Sequence, residues 1–314
     1  PIRKVTPPSS LTHTAVTGRS RAIAATTAGT GIGPLGAVTG APPACVRMRQ
    51  RTTLAAVEPV YGTAIRLARL AWRAQGLTFT VTGVENLPRT GGAVIAINHT
   101  SYFDFTFAGL PAFQQHLGRK VRFMAKKEVF DNKMTGPLMR GMRHIEVDRN
   151  SGAASFELAC QKLKEGEFVG VYPEATISRS FEIKEFKSGA ARMAIAAGVP
   201  IVPHIVWGAQ RIWTKGHPKK LWRPKVPISV AVGTPIEPTL PAPELTALLH
   251  SRMQHLLAHV QDAYGPHPPG EFWVPHRLGG GAPTLAEANH LDAEEAAEKA
   301  ARRTQRDGPN EAPG

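Results

Sequence analysis

The sequence predicts an α/β fold built on one sheet, and two observations carry that reading. Short, almost wholly apolar runs of strand length (Val94–Ile97, Phe168–Tyr172, Ile201–Trp207) alternate with segments of helical period. Glycines punctuate them, with Gly76 and Gly198 standing where helices should stop.

Taken in order, Val60–Gln75 reads as a helix and Leu77–Val81 as a strand. Gly83–Gly92, with Pro88, is a loop before the strand Val94–Ile97. Asn98 and His99 break that strand, and Phe103–Leu117 reads as a helix. Val121–Met124 is a strand, followed by Lys126 and Lys127 as a solvated basic edge. A turn and short helix, Gly136–Gly141, and a short strand, His144–Val147, come next. Ser151 is placed to cap a helix running to Lys164, with Ala154, Leu158 and Leu163 on its apolar pattern. After Phe168–Tyr172 come a loop and the helix Ala190–Ala197. Pro203 is expected to break the strand Ile201–Trp207. A basic loop, Trp213–Pro227, a strand, Ile228–Val232, and an amphipathic helix, Pro243–Ala263, complete the body.

Residues 1–53 are rich in Pro, Gly, Thr, Ala and Ser without periodicity and read as disordered, with Met48 a candidate start. Residues 54–76 read as a basic amphipathic helix, because Arg66, Arg69 and Arg73 share a face beside Leu67, Leu70 and Trp72. Such a helix suits an anionic bilayer surface, or equally packs on a domain with a solvated Arg edge. Residues 77–277 form the main domain, and 278–314 a disordered or partly helical tail in which Leu285–Arg306 is at most a solvated, mobile helix.

The formal net charge is +14. The segment before Glu58 holds seven basic residues and no acid, and the tail after Arg277 four basic and seven acidic, so the body itself is strongly basic. Its partners are expected to be anionic: phosphates, a nucleic acid or a membrane surface. Cys45 and Cys160 fit neither a disulfide framework nor a metal-binding spacing, and the chain reads as cytosolic. No run reaches the ~18 apolar residues of a membrane-spanning helix, and no clear signal peptide opens the sequence.

His99 falls at the C-terminal end of a strand and Asp104 in the first turn of the following helix, an edge where open α/β sheets bind ligands. A histidine acting as general base needs a fixed tautomer, which a carboxylate on its other nitrogen supplies. The alternative is a turn histidine beside an N-terminal helix carboxylate.

Three further motifs follow in order: Val147-Asp148-Arg149, Val171-Tyr172-Pro173-Glu174-Ala175-Thr176 and Val199-Pro200-Ile201-Val202-Pro203. Each follows or begins a predicted strand, so one sheet edge can gather all four. Together they resemble the glycerolipid acyltransferase family, the lysophosphatidate and glycerol-3-phosphate acyltransferases, over about residues 77–233. The resemblance implies a single central mixed sheet flanked by helices, with an amphipathic helix before it. It implies that His99 takes the proton from a glycerol hydroxyl attacking an acyl thioester while Asp104 orients it. Arg149 would meet the acceptor's phosphate, and Glu174 and Thr176 would shape the acceptor site. The sequence departs from the family pattern in the third motif, where Ala175 replaces Gly and Ile177 stands where Arg is expected. Arg179, supported by Lys187, is the candidate replacement.

No Ser sits in a Gly-x-Ser-x-Gly elbow and neither cysteine lies in a motif, so nothing suggests a covalent acyl-enzyme. His144, His204 and His250 read as structural or exposed. His255, His259 and Asp262 share a helical face but read as a solvated edge, so no metal site is expected. The loop Lys215–Lys225, with Trp213 and Trp222 around it, fits a membrane interface or the phosphates of CoA or an acidic carrier better than nucleic acid. The expected partners are acyl-CoA or acyl carrier protein, a lysophospholipid and the inner face of an anionic membrane, with no cofactor beyond the acyl donor. Phosphatidate from lysophosphatidate is the expected reaction; glycerol-3-phosphate or another lysophospholipid are the alternative acceptors. A non-enzymatic basic membrane- or nucleic-acid-binding protein is the alternative outside the class.

Overall fold

The computed structural model describes residues 58–114, 118–148 and 152–306. In chain order the elements are α1 (Pro59–Ala74), β1 (Thr78–Thr82), β2 (Ala93–Ile97), α2 (Asp104–Ala108), α3 (Leu110–Gln114), β3 (Val121–Lys126), α4 (Lys127–Asp131), α5 (Thr135–Gly141) and β4 (Ile145–Val147). They continue with α6 (Gly152–Lys164), β5 (Phe168–Val171), α7 (Gly189–Ala197), β6 (Ile201–Trp207), β7 (Pro227–Val232), α8 (Ala242–Tyr264) and α9 (Leu285–Arg306). The strands form one sheet in the order β1-β7-β6-β2-β5-β3-β4. Only β6 and β7 pair antiparallel, so the sheet is mixed, as expected.

β2 lies at the centre and is buried throughout. Strand side chains alternate between faces. Val94 and Ala96 enter a core completed by α6, α7 and α8, while Ile95 and Ile97 enter the opposite core with Trp72 of α1 and Phe107 of α2. Helices therefore cover both faces, and ligand access is left to the strand ends. Because β2, β5 and β6 run parallel, the loops after all three emerge at one edge.

Sequence expectations fail or stop short at four places for identifiable reasons. The helix expected over 103–117 is two short helices, because Pro111 lacks an N–H and its ring opposes the carbonyl four residues back. Pro203, by contrast, does not break β6. Its carbonyl faces Gly233, so its missing N–H faces the same side, just past the last ladder residue of β7, Val232, where no ladder bond is lost. The sequence marks only Lys126 and Lys127 here, as a solvated basic edge, and offers no element where residues 127–131 form α4; Lys127 stays exposed and pairs with Asp131 at 2.7 Å. The fourth motif begins β6 at the opposite edge of the sheet from His99, and its Ile201 and Val202 are fully buried core residues, so it contributes packing rather than site chemistry.

α1 divides its apolar residues. Tyr61 and Trp72 pack inward, whereas Leu67 and Leu70 are 61% and 63% exposed beside the exposed Arg66 and Arg73. Arg69 leans over the Phe113 ring instead. The start of α1 is anchored by a buried two-point ion pair between Glu58 and Arg122 of β3, with Nη2–Oε1 2.6 Å and Nη1–Oε2 2.8 Å. No helix among the described residues is long and apolar enough to cross a membrane. Cys160 is a buried free thiol in α6, whereas Cys45, Arg149 and Ser151 lie outside the described residues, as do the expectations for residues 1–57.

Candidate active site

The chain leaves β2 through Asn98, whose side chain behaves like one more strand residue. Its Nδ2 donates to the carbonyl of Val206 at 3.1 Å and its Oδ1 accepts the Val206 N–H at 2.7 Å. This ties the turn to β6. The next residue, His99, has both backbone groups held by the loop after β5. Its N–H donates to Glu174 Oε1 at 2.8 Å, and its carbonyl accepts the Ser178 N–H at 2.7 Å. The loop after β6 grips the residues beyond: Thr214 Oγ1 donates to the Thr100 carbonyl at 2.7 Å, Ser101 Oγ donates to the Trp213 carbonyl at 2.7 Å, and Tyr102 packs on the Trp213 ring.

The turn folds His99 back onto Asp104. Asp104 is fully buried, and its Oδ2 accepts the Thr100 and Ser101 N–H groups, both at 2.7 Å, and meets His99 Nδ1 at 3.1 Å. An oxygen already accepting two amides presents an acceptor to the ring, so Nδ1 carries the proton and Nε2 the lone pair. Among the described residues Nε2 makes no hydrogen bond, and the Tyr172 ring stacks on the imidazole at 4.0 Å between centroids. The result is a fixed, basic nitrogen at the C-terminal edge of the central strand. Burial pushes the Asp104 carboxyl above its ordinary range, and the His99 ring and the two amides pull it back.

Glu174, also buried, is pushed up to about 8 by burial, against the His99 and Lys184 amides and the Lys184 charge. Its Oε2 accepts the Lys184 N–H at 3.2 Å, so one carboxyl bridges the His99 turn and the chain leading to α7.

The third motif contains one strained residue. Ala175 has φ +60°, the left-handed region, where the family pattern carries Gly. Ile177 is buried, so this position supplies no cation to the surface. Arg179 instead joins Lys184 of the same loop and Lys215 of the loop after β6. Lys184 Nζ also donates to Thr176 Oγ1 at 2.8 Å, which brings Thr176 into this group. The cations hold Asp292 and Glu295 of α9, the tail helix expected to be mobile. Lys187 is exposed and stands outside the cluster; only its backbone N–H is engaged, on Pro173. Lys184 was missed by sequence reasoning because it lies outside every motif, and Lys215 was not singled out. The basic loop did mark Lys215 as one of several lysines. His144 and His204 are buried and lowered to about 4 by burial, which fits structural roles, and His255, His259 and Asp262 are exposed on α8.

A His–Asp pair at the end of the central strand, with a basic cluster carried by the loops that hold its turn, is an arrangement able to take a proton from a bound hydroxyl. Residues 78–207 match the family described as Acyltransferase. The 1-acyl-sn-glycerol-3-phosphate acyltransferase of Bacillus subtilis (strain 168) is 35% identical over 139 residues, 43% of this chain and 67% of that protein. A probable 1-acyl-sn-glycerol-3-phosphate acyltransferase of Mycoplasma pneumoniae is 33% identical over 186 residues, 55% of this chain and 67% of that protein. The crystal structure of the 1-acyl-sn-glycerophosphate (LPA) acyltransferase PlsC from Thermotoga maritima shares the fold, with a TM-score of 0.50 at 20% identity over 66% of this chain and 85% of that one. The chain belongs to the acyltransferase family and is an O-acyltransferase.

Two outcomes follow from this geometry. Asp104→Asn keeps a side-chain acceptor or donor near Nδ1 but removes the charge and the enforced tautomer. Acyl transfer should fall by roughly 10²–10⁴-fold in kcat with KM little changed, as steady-state kinetics would report. Ala175→Gly relieves the left-handed strain at the cost of unfolded-state freedom, so urea unfolding should show a net gain of up to about 1 kcal/mol. A loss of stability would contradict the strain.

Proposed function

We propose that the protein moves a fatty acyl group from acyl-CoA or acyl carrier protein to the free hydroxyl of 1-acylglycerol-3-phosphate, giving phosphatidate for phospholipid synthesis. The observation that carries this reading is the His99 imidazole, held through Nδ1 on buried Asp104 with Nε2 unengaged among the described residues. The names of the relatives supply the acceptor. Nε2 accepts the hydroxyl proton as the oxygen attacks the thioester carbonyl carbon. The new C–O ester bond forms, the C–S bond breaks, and the proton passes from His99 to the departing thiolate. Asp104 stabilises the imidazolium in between. The thioester arrives activated, so the transfer needs no cofactor and no covalent acyl-enzyme. The basic cluster beside the third motif supports a phosphate-bearing acceptor, and glycerol-3-phosphate or another lysophospholipid would use the same chemistry.

The enzyme works, on this reading, at the cytoplasmic face of the cell membrane as a peripheral protein. Leu67 and Leu70, exposed beside Arg66 and Arg73, support that placement. So does the loop after β6, where Leu221 and Trp222 are exposed, Trp222 at 89%. Gln75, at the end of α1, donates to the Leu221 carbonyl at 2.9 Å, which makes the two features neighbours. Apolar side chains among cations suit an anionic lipid surface.

The test of the reaction is transfer from labelled acyl-CoA, and then from acyl carrier protein, to lysophosphatidate, glycerol-3-phosphate and a neutral lysolipid. Lysophosphatidate should be the acceptor, and His99→Ala should abolish product. Unaltered transfer by that variant would overturn the mechanism, and product with a different acceptor alone would overturn the acceptor. For the membrane face, Arg66→Glu with Arg73→Glu should weaken binding to anionic vesicles by at least about 30-fold, since each basic residue near such a surface contributes about 1 kcal/mol. Undiminished co-sedimentation would contradict the role of α1.

A further inference from the structure

α9 is helical over Leu285–Arg306, but its inward face is sparse. Leu285, Ala288, Asp292 and Glu295 are its positions of reduced exposure that recur at three- and four-residue spacing, and of these Ala288 alone is fully buried. Its apolar packing is therefore slight for 22 residues, and charge fastens it instead. Asp292 Oδ1 meets Lys215 Nζ at 2.7 Å and Arg179 Nε at 3.3 Å, and its Oδ2 meets Lys184 Nζ at 2.5 Å. Glu295 Oε2 meets Lys215 Nζ at 2.6 Å and Arg179 Nη2 at 2.9 Å.

Each of these cations is next to an atom that holds the catalytic turn. Arg179 follows Ser178, whose N–H binds the His99 carbonyl. Lys184 donates its own N–H to Glu174 and its Nζ to Thr176. Lys215 follows Thr214, whose hydroxyl binds the Thr100 carbonyl. The cluster thus borders the site where the acceptor must lie. Two carboxylates one helical turn apart present two negative charges and several acceptor oxygens together. A phosphate monoester, with about −1.5 to −2 charge and three acceptor oxygens, offers the same chemistry.

We propose that α9 is a tethered competitor for the acceptor's phosphate: Asp292 and Glu295 occupy Arg179, Lys184 and Lys215 in place of a phosphate monoester, and the acceptor must displace them to bind. This rests on the phosphate-bearing acceptor argued above. The cluster holds both carboxyls strongly as anions. Hydrogen bonds from Lys215 and Lys299 lower Glu295 to about 2, and for Asp292 burial is outweighed by Lys184 and Lys215. A strap fastened by ions and backed by little apolar surface yields to a competing dianion without the domain unfolding. It restricts acylation to conditions where a phosphate-bearing lipid is concentrated, as at a membrane surface.

The test uses the full chain carrying Asp292→Asn and Glu295→Gln. Calorimetric binding of inorganic phosphate and the apparent KM for lysophosphatidate should both fall about tenfold in concentration, the change expected for a strap closed nine-tenths of the time, with kcat unchanged. Asp292→Asn alone should give an intermediate shift in the same direction. Lys184→Ala and Lys215→Ala, added to the double variant, should erase the gain. If Asp292 and Glu295 merely brace the cations, phosphate binding weakens or stays as it was, and the proposal falls. A gain that survives loss of both lysines also overturns it. Tighter phosphate binding in a protein that does not acylate lysophosphatidate would remove the assigned acceptor and leave the strap standing for another phosphate monoester.

Discussion

The grip of the loop after β5 on the backbone of His99 is the constraint on which the site depends. A histidine at a strand end has rotational freedom that a general base cannot tolerate. Here Glu174 takes its N–H and Ser178 its carbonyl, while Asn98 fastens the preceding residue to β6. With the backbone fixed on both sides, the ring needs one more contact to be oriented, and Asp104 supplies it. The same arrangement explains why two acids are buried so close together. Asp104 gathers the two turn amides and the ring, and Glu174 joins that turn to the chain leading to α7. Each is costly to bury, and each is compensated by hydrogen bonds that only this loop arrangement provides.

The sheet topology makes the arrangement possible. β6, β2 and β5 are adjacent and parallel, so three loops distant in sequence meet at one edge. None could fix His99 alone. The loop after β5 holds the backbone of His99, the loop after β6 holds Thr100 to Tyr102, and the turn after β2 carries the imidazole itself. A change in strand order would leave every motif intact in sequence and the site unassembled.

That division also explains what could be read in the chain beforehand. The strands were visible because a centrally buried strand is apolar almost throughout, as β2 is at every position and β6 is apart from His204. The His99–Asp104 pair was visible because both partners lie in one short turn. The fourth motif misled, because its apolar, proline-bearing pattern reads alike whether it lines a site or fills a core; burial of Ile201 and Val202 assigns it to the core. Pro203 was expected to break a strand because periodicity does not reveal where the neighbouring strand ends. Lys184 was hidden, and Lys215 undistinguished among the lysines of its loop, for a related reason. Their partners lie more than 70 residues away on α9, and no local pattern encodes such a contact.

The tail shows how composition can point the wrong way about order. Leu285–Arg306 is rich in Ala and charge with few large apolar residues, and such a segment is ordinarily judged unable to dock. That judgement counts apolar area alone. It omits the case in which a domain already carries an unneutralised cluster of cations, so that a helix with two acids one turn apart finds its partner ready made. In this chain the loops that carry the cations are fixed by their bonds to the His99 turn, so the cations are gathered whether or not α9 is docked. The ordering of α9 is therefore a consequence of the site's own electrostatics. Whatever neutralises the cluster from solution competes directly with the tail.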